Sequence, residues 1–157
     1  MRLIEGARDG SSLHIAIIAS RFDKANVLDA LIDGATSAAS ECNVPDDALD
    51  LVRVPGAFEL PMTARRLAAS GTYDAIVCIG SVVRGETAHF DYVAGEAARG
   101  IADAAADFDL PVTFGVITAD TDEQAQARAG GDVRNTGREA MLAAVEMAML
   151  FAQLSTE

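Results

Sequence analysis

One stretch of the sequence gathers chemically active side chains within a few residues of each other. It contains Gly85, Thr87 and His89, and it follows the apolar segment Ala75–Ile79, which is typical of a buried strand. A glycine turn between a strand and a helix directs backbone N–H groups towards an anion. A histidine in the first helical turn would then move protons beside that anion. The pattern predicts a phosphate-handling active site that lacks the sequence of a nucleotide P-loop.

Length and charge restrict the class of protein. With 157 residues, of which 50% are hydrophobic, the sequence predicts one domain, residues 1–157, with a real core. Its net charge of −12 disfavours nucleic acid and membrane surfaces as partners, because both carry negative charge. The sequence has no signal-peptide core after Met1 and no apolar run long enough to cross a bilayer, so we expect a cytoplasmic protein.

The counts of cysteine, histidine and lysine limit the chemistry. We expect Cys42 and Cys78 to be buried thiols in preference to a disulfide. Two cysteines and two separated histidines give no metal-ligand spacing, so no metal is expected. Lys24 is the only lysine among 12 basic residues, which disfavours a Schiff base on the protein unless Lys24 forms it. If imine chemistry occurs, its amine is expected to come from a substrate.

The elements that must position these residues alternate regularly. Short apolar segments predict strands at Leu13–Ala19, Leu49–Val54, Ala75–Ile79 and Pro111–Thr118. Segments with helical periodicity predict helices at Ala25–Glu41, Phe58–Ser70, His89–Phe108, Asp122–Ala129 and Arg138–Leu154. Gly130 and Gly131 are predicted to end the fourth helix. The order indicates an α/β fold, a four-stranded parallel sheet with helices on both faces.

Unusual residues cluster where the predicted strands end, which is where such sheets bind ligands. Phe22 follows the first strand and would either stack on a flat ring or plug the top of the core. Glu59 follows the second strand and would bind a polyol or amide, or only stabilise a helix N-terminus. Four loops that converge at the carboxyl ends of the strands indicate a ligand site more strongly than any single loop does.

Several other candidates also have a structural interpretation. Thr87 would cap the third helix, with or without binding phosphate. Arg128 would stabilise the end of its own helix, which is the favoured interpretation within one protomer. His89 would be a surface residue without a task, and His14, at the start of the first strand, is expected to be structural.

The last predicted helix has no clear polar face. From Ala140 to Leu154 it is apolar almost all round, with Glu146 and Gln153 as the main exceptions. A helix on the outside of a small α/β domain normally keeps one polar face. Two apolar faces therefore predict an obligate oligomer.

The chain resembles the lumazine synthase family from Ile15 to Leu150. The strings that carry the resemblance are Arg21-Phe22-Asp23, Val54–Pro61, Gly80–Val93, Phe114–Thr118, Gln124–Gly130 and Glu146–Ala148. The resemblance implies a flavodoxin-like three-layer sandwich assembled as pentamers. It favours a closed icosahedral shell over a free pentamer, because the segment 128–137 contains no long insertion.

The same resemblance implies an activity, the penultimate step of riboflavin biosynthesis. The family condenses 5-amino-6-ribitylaminouracil with 3,4-dihydroxy-2-butanone 4-phosphate, with no metal or cofactor, to give 6,7-dimethyl-8-ribityllumazine. The amine of the substrate attacks the ketone to form an imine, phosphate and water leave, and the second ring closes. The implied partners are these small molecules, other copies of the chain, and riboflavin synthase.

The resemblance also assigns residues to roles. Binding of the pyrimidine and ribityl groups is assigned to Phe22, Gly56, Ala57, Phe58, Glu59, Ser81, Val82, Val83 and Phe114. Phosphate binding is assigned to Gly85, Glu86, Thr87 and Arg128, and the catalytic residues are His89 and Arg128. Phe114 and Arg128 are implied to reach the site from the neighbouring subunit.

Two positions depart from the family pattern. Asp23 stands where asparagine is common, and Thr136 stands where a lysine often faces the pyrimidine, which makes Arg138 a candidate substitute. The alternatives to the enzyme are a weakly active flavin- or lumazine-binding paralogue and a shell-forming structural protein. A flavodoxin-like electron carrier is disfavoured, because Arg21–Lys24 is not a Ser/Thr/Gly phosphate loop.

Overall fold

A computed structural model of the chain describes residues 1–130 and 134–155. Four strands lie in this part of the chain: β1 (Ile15–Ser20), β2 (Leu49–Val54), β3 (Ala75–Val83) and β4 (Val112–Ala119). The helices are α1 (Leu28–Glu41), α2 (Leu60–Ala68), α3 (His89–Phe108), α4 (Asp122–Ala127) and α5 (Thr136–Ser155). Single turns of 3-10 helix, Asp46–Ala48 and Ala57–Glu59, precede β2 and α2.

The four strands form one parallel sheet in the order β2-β1-β3-β4. Every residue of β1 is buried, as its continuous apolar sequence predicts for a central parallel strand. Side chains alternate between the two faces, so Ile15 and Ile17 pack with α1 and α5 while Ala16 and Ile18 pack with α2 and α3. The predicted α/β, flavodoxin-like architecture is confirmed.

The centre of the sheet extends further than the sequence predicts. The prediction ends the third strand at Ile79, but β3 continues to Val83. The added residues pair with β4 through the register Gly80↔Val116 to Val83↔Ala119. A glycine alone does not end a strand when a neighbour supplies the ladder, so the true turn starts after Val83.

The first helix begins three residues later than predicted. Asn26 has a left-handed backbone, with φ of 56°, which no helix interior accepts. Both carboxylate oxygens of Asp23 accept backbone N–H groups, from Val27 at 2.9 Å and Leu28 at 2.8 Å. Asp23 therefore caps α1 from outside the helix and sets its start.

The fifth helix packs closely on the first because of one glycine. A Cβ at Gly137 would lie 2.1 Å from the carbonyl oxygen of Leu31, so no other residue fits without moving α1 or α5.

The fourth helix ends at Ala127, and Gly130 follows with φ of 94°. Gly131, predicted with Gly130 to end this helix, lies outside the described residues.

The outer surface of α5 carries apolar side chains. One face is buried in the core through Ala140, Met141, Ala144, Val145 and Ala148. Met147 is 38% exposed, and Leu142, Leu150 and Phe151 are only half-buried. No helix among the described residues has both the length and the apolar character needed to cross a membrane.

Both cysteines are free and buried, as predicted. Cys78 lies at the centre of β3, where burial raises the pKa of its thiol to about 12. Cys42 follows α1, and burial likewise raises its thiol pKa. Neither thiol lies at the carboxyl ends of the strands.

Candidate functional site

A cavity of about 630 Å³ opens at the carboxyl ends of β1, β2 and β3. It is lined by Phe22, Lys24, Gly56, Ala57, Phe58, Glu59, Ser81, Val82, Val83, Gly85, Thr87, His89, Phe90, Tyr92 and Val93. All the candidate site residues line this cavity except Glu86, Phe114 and Arg128. Among the described residues, no group of three or more His, Cys, Asp or Glu side chains is arranged to hold a metal.

Phe22 presents its ring to the cavity and not to the core. Its side chain is 69% exposed, so the interpretation in which it plugs the core is wrong. The backbone N–H of Phe22 donates to Pro55 O at 2.9 Å, and that of Arg21 donates to Val54 O at 2.8 Å. These bonds join the loops after β1 and β2 and fix the backbone from which the ring extends. The exposed ring offers a flat apolar surface.

Glu59 fixes the turn that follows β2. Its Oε2 accepts the backbone N–H of Gly56 at 2.9 Å, which closes a capping turn ahead of α2. No described residue donates a hydrogen bond to the other carboxylate oxygen. Glu59 therefore combines its structural role with one free acceptor beside the cavity.

Arg84 fixes the glycine turn after β3. Its Nε donates to Asp120 Oδ1 at 2.9 Å, and its Nη1 lies 3.3 Å from Asp91 Oδ1. Its guanidinium carbon lies 4.3 Å from the centre of the Phe90 ring. The hydrogen bond that Arg84 donates to Asp120 is the main reason that the pKa of Arg84 is raised. The turn between β3 and α3 is therefore tied both to the end of β4 and to the first turn of α3.

Thr87 and His89 lie at the start of α3, next to that turn. The backbone N–H of His89 donates to Thr87 Oγ1 at 3.3 Å, so Thr87 helps to cap the helix. Its hydroxyl hydrogen is still available to a ligand, which keeps both interpretations of Thr87 open. The imidazole of His89 is exposed and has no hydrogen-bond or ion-pair partner among the described residues.

Ser81 is one of the residues that line the cavity, and its hydroxyl is buried. Ser81 is 7% exposed, and its Oγ has no hydrogen-bond partner among the described residues. A buried polar atom without a partner is unfavourable.

Three candidate residues do not reach the cavity in this protomer. Phe114 lies on the edge strand β4 and is 41% exposed. Nη1 of Arg128 donates to Gln124 O at 2.9 Å, which is the structural role expected within one protomer. Glu86 is exposed outside the cavity lining.

Thr136 and Arg138 are both engaged elsewhere. The hydroxyl of Thr136 donates to Arg128 O at 3.1 Å. Arg138 binds Glu41 with both terminal nitrogens, at 2.7 Å each. Arg138 therefore does not reach the cavity of its own protomer, and its suggested role as a substitute for a pyrimidine-facing lysine stays a prediction.

The cavity also contains residues that were not among the candidates. Phe90 and Val93 lie on the same stretch as His89, and a helical projection from His89 could have identified them. Lys24 and Tyr92 complete the set. The signal for Lys24 was its position two residues after Phe22, in the same loop.

His14 lies at the other end of the sheet, in a network of side chains. Its Nε2 is 3.3 Å from Asp50 Oδ2, and its ring centre is 4.9 Å from that of Tyr73. The Tyr73 hydroxyl donates to the same Asp50 oxygen at 2.8 Å, which is the main reason that the pKa of Tyr73 is raised. His14 is structural, as expected.

A comparison with models of known families gives a match along nearly all of this chain. The model described as 6,7-dimethyl-8-ribityllumazine synthase matches residues 12–152. The matched range includes all the residues that line the cavity, and the four strands of the sheet lie within it.

Proposed function

Because the chain belongs to the 6,7-dimethyl-8-ribityllumazine synthase family, we propose that it catalyses that condensation itself. The family is a transferase family of riboflavin biosynthesis. The proposed substrates are 5-amino-6-ribitylaminouracil and 3,4-dihydroxy-2-butanone 4-phosphate, and the proposed products are 6,7-dimethyl-8-ribityllumazine, inorganic phosphate and water.

One observation carries the proposal, the meeting of two different surfaces in one cavity. Phe22 offers an exposed aromatic face on the loop after β1. Gly85, Thr87 and His89 offer backbone N–H groups, a hydroxyl and an imidazole on the loop after β3. A flat pyrimidine suits the first surface and a phosphate suits the second. A reaction between a ring and a phosphate ester needs both in one place.

The residues present suit the steps of the condensation. The amine of the pyrimidine attacks the ketone carbon, and the resulting carbinolamine loses water to form an imine. His89 would accept the proton released by the amine and return it to the departing hydroxyl. Thr87 and the N–H groups near Gly85 would hold the phosphate until its C–O bond breaks. Glu59, with one free carboxylate oxygen, would accept hydrogen bonds from the ribityl hydroxyls.

Family membership implies an oligomer in general, and we propose pentamers or multiples of them, including an icosahedral shell. The half-buried apolar residues on the outer face of α5 support further burial by neighbours. Phe114 and Arg128 would then complete the cavity of an adjacent subunit, which explains their distance from their own. Riboflavin synthase as a partner and a cytoplasmic location belong to the same proposal. Light scattering that showed a stable monomer at micromolar concentration would contradict the assembly.

The activity is tested by mixing the protein with both substrates. Formation of product is followed by the absorbance and fluorescence of the lumazine ring, and phosphate release is measured in parallel. We expect product and phosphate in equal amounts, both formed faster than in a control without protein. Binding of the lumazine without any acceleration would overturn the enzyme and favour a binding paralogue.

A further inference from the structure

Lys24 is the only lysine in the chain, and it lines the cavity. The other side chains with acid–base character in the lining are Glu59, His89 and Tyr92. Lys24 is therefore the one described lining residue whose side chain carries a fixed positive charge. In a chain with a net charge of −12, a cation in this position is unusual.

The turn that carries Lys24 is held on both sides. Asp23 precedes it and is fixed by the two hydrogen bonds that cap α1. Ala25 follows it, is 2% exposed, and accepts a hydrogen bond from Gln126 Nε2 at 3.3 Å. Asn26 then adopts its left-handed backbone. Lys24 therefore extends from a fixed backbone and loses less conformational entropy on binding than a residue of a loose loop would.

No carboxylate in the described part of the chain forms an ion pair with Lys24. The adjacent Asp23 has both oxygens engaged with backbone N–H groups of α1. Glu59 has one oxygen bound to Gly56, and within residues 1–130 and 134–155 no ion pair joins Lys24 to an acidic group. The ammonium is thus free to donate hydrogen bonds to a ligand.

We propose that the ammonium of Lys24 donates a hydrogen bond to a carbonyl oxygen of the ring that stacks on Phe22. Phe22 and Lys24 lie two residues apart on one loop, so a ring on Phe22 has its edge within reach of the lysine. The phosphate instead has its own donors on the separate loop after β3. Charge-assisted hydrogen bonds are stronger than neutral ones, so this contact would select rings with a carbonyl at that edge. The inference rests on the proposed function, because it takes the substrate ring as the ligand.

The first experiment measures the affinity of three variants for two probes. The ring probe is 6,7-dimethyl-8-ribityllumazine, titrated by its fluorescence, and the anion probe is inorganic phosphate. We expect Lys24→Met to weaken binding of the lumazine about tenfold, with little change for phosphate, and Lys24→Arg to keep most of the affinity. Arg8→Met is the matched control, since it removes one positive charge from a residue that pairs with Glu146, outside the cavity lining. Unchanged lumazine affinity, or a loss for phosphate alone, would overturn the assignment.

The second experiment uses the fact that Lys24 is the only lysine. The chain has two amines, the side chain of Lys24 and the α-amino group. Mass spectrometry distinguishes their acetylated forms after treatment with an amine-selective reagent. Saturating lumazine should slow acetylation of Lys24, whereas inorganic phosphate should not. The α-amino group serves as the internal control. Equal acetylation rates with and without lumazine would contradict the contact.

These results separate the two proposals. Acetylation and titration report ring binding directly, without turnover. If the protein forms no product but lumazine protects Lys24, the proposed enzyme fails while the ring contact holds. If product forms at the wild-type rate with Lys24→Met and lumazine affinity is unchanged, the ring contact fails while the enzyme stands.

Discussion

The two histidines lie at opposite ends of the parallel sheet, in opposite surroundings. His14 precedes β1 and is held by Asp50, by the Tyr73 ring, and through its backbone N–H by Asp74 Oδ2 at 2.8 Å. His89 follows β3, lines the cavity, and has no described side-chain partner for its imidazole.

The two ends of the sheet therefore have different roles, one structural and the other in ligand binding. At the amino ends of the strands, polar side chains are engaged with one another and stabilise the junction of β1, β2 and β3. At the carboxyl ends, backbone groups are held by hydrogen bonds, while His89, Lys24 and the ring of Phe22 have no polar side-chain partner among the described residues. A site that must bind ligands keeps side chains available and fixes the loops that carry them.

The largest effect that tests this comparison is expected at His89. His89→Ala should lower turnover by roughly ten- to a thousandfold, because general acid–base groups contribute on that order. His14→Ala should leave turnover unchanged. Steady-state rates with both substrates, with light scattering to verify the assembly, provide the measurement. An unchanged rate in His89→Ala would make the two histidines equivalent and return His89 to a surface role.

Arg128 tests whether a partner within the protomer excludes a role in the site. Arg128 donates to Gln124 O, so the comparison taken alone would make it structural. Our proposal of a shared site instead predicts that Arg128→Ala weakens use of the butanone phosphate by about 2 kcal/mol, the size of a charge-assisted hydrogen bond. Lumazine affinity should change far less. Rates at varied butanone phosphate and a separate titration with lumazine decide, and equal losses for both would assign Arg128 to the fold or the interface.

His14 is expected to affect stability and not activity. His14→Ala removes a half-exposed contact to Asp50 and a ring contact to Tyr73, so the free energy of unfolding should fall by about 0.5–1 kcal/mol. Chemical denaturation followed by circular dichroism measures the change. His14→Gln, which keeps a hydrogen-bonding group, should recover part of it. A loss of turnover without a loss of stability would contradict the structural role.

The smallest effect is expected at the ion pair between Arg138 and Glu41. The hydrogen bond from Arg138 is the main reason that the pKa of Glu41 is lowered. A carboxyl with a lowered folded-state pKa stabilises the fold above its ordinary pKa and loses that contribution as the pH falls through the lowered value. Arg138→Met should therefore slightly lower the midpoint of chemical denaturation at pH 7. The difference in midpoint between the variant and the wild type should vanish in strong acid. A change in lumazine affinity instead would restore Arg138 as a site residue.

The sequence predicted the sheet and most of the cavity because both depend on local patterns. Apolar segments located every strand, and the glycine turn located Gly85, Thr87 and His89. The exact end of β3 was missed because its last residues are held by β4, a neighbour distant in sequence. The ion pair of Arg138 was missed for the same reason, since its partner Glu41 lies 97 residues away.

Side-chain direction was the other limit on prediction. Lys24 was counted as a lysine but not placed at the cavity. Its position two residues after Phe22 indicated the right loop, but the sequence does not show where a long side chain points. Asp23 was seen as a departure from a family pattern, and only the structure shows that it caps α1. The role of Phe114 and Arg128 depends on a neighbouring copy and stays a prediction.

The reactivity of the two buried thiols can be used to follow unfolding of the chain. Cys78 lies in the central strand β3, with no exposed surface, so a thiol reagent reaches it only when the sheet opens. Cys42 lies just past the end of α1, where we expect fraying of the last helical turn to expose it. Alkylation should therefore proceed in two phases, the faster one timing local opening and the slower one timing loss of the whole fold.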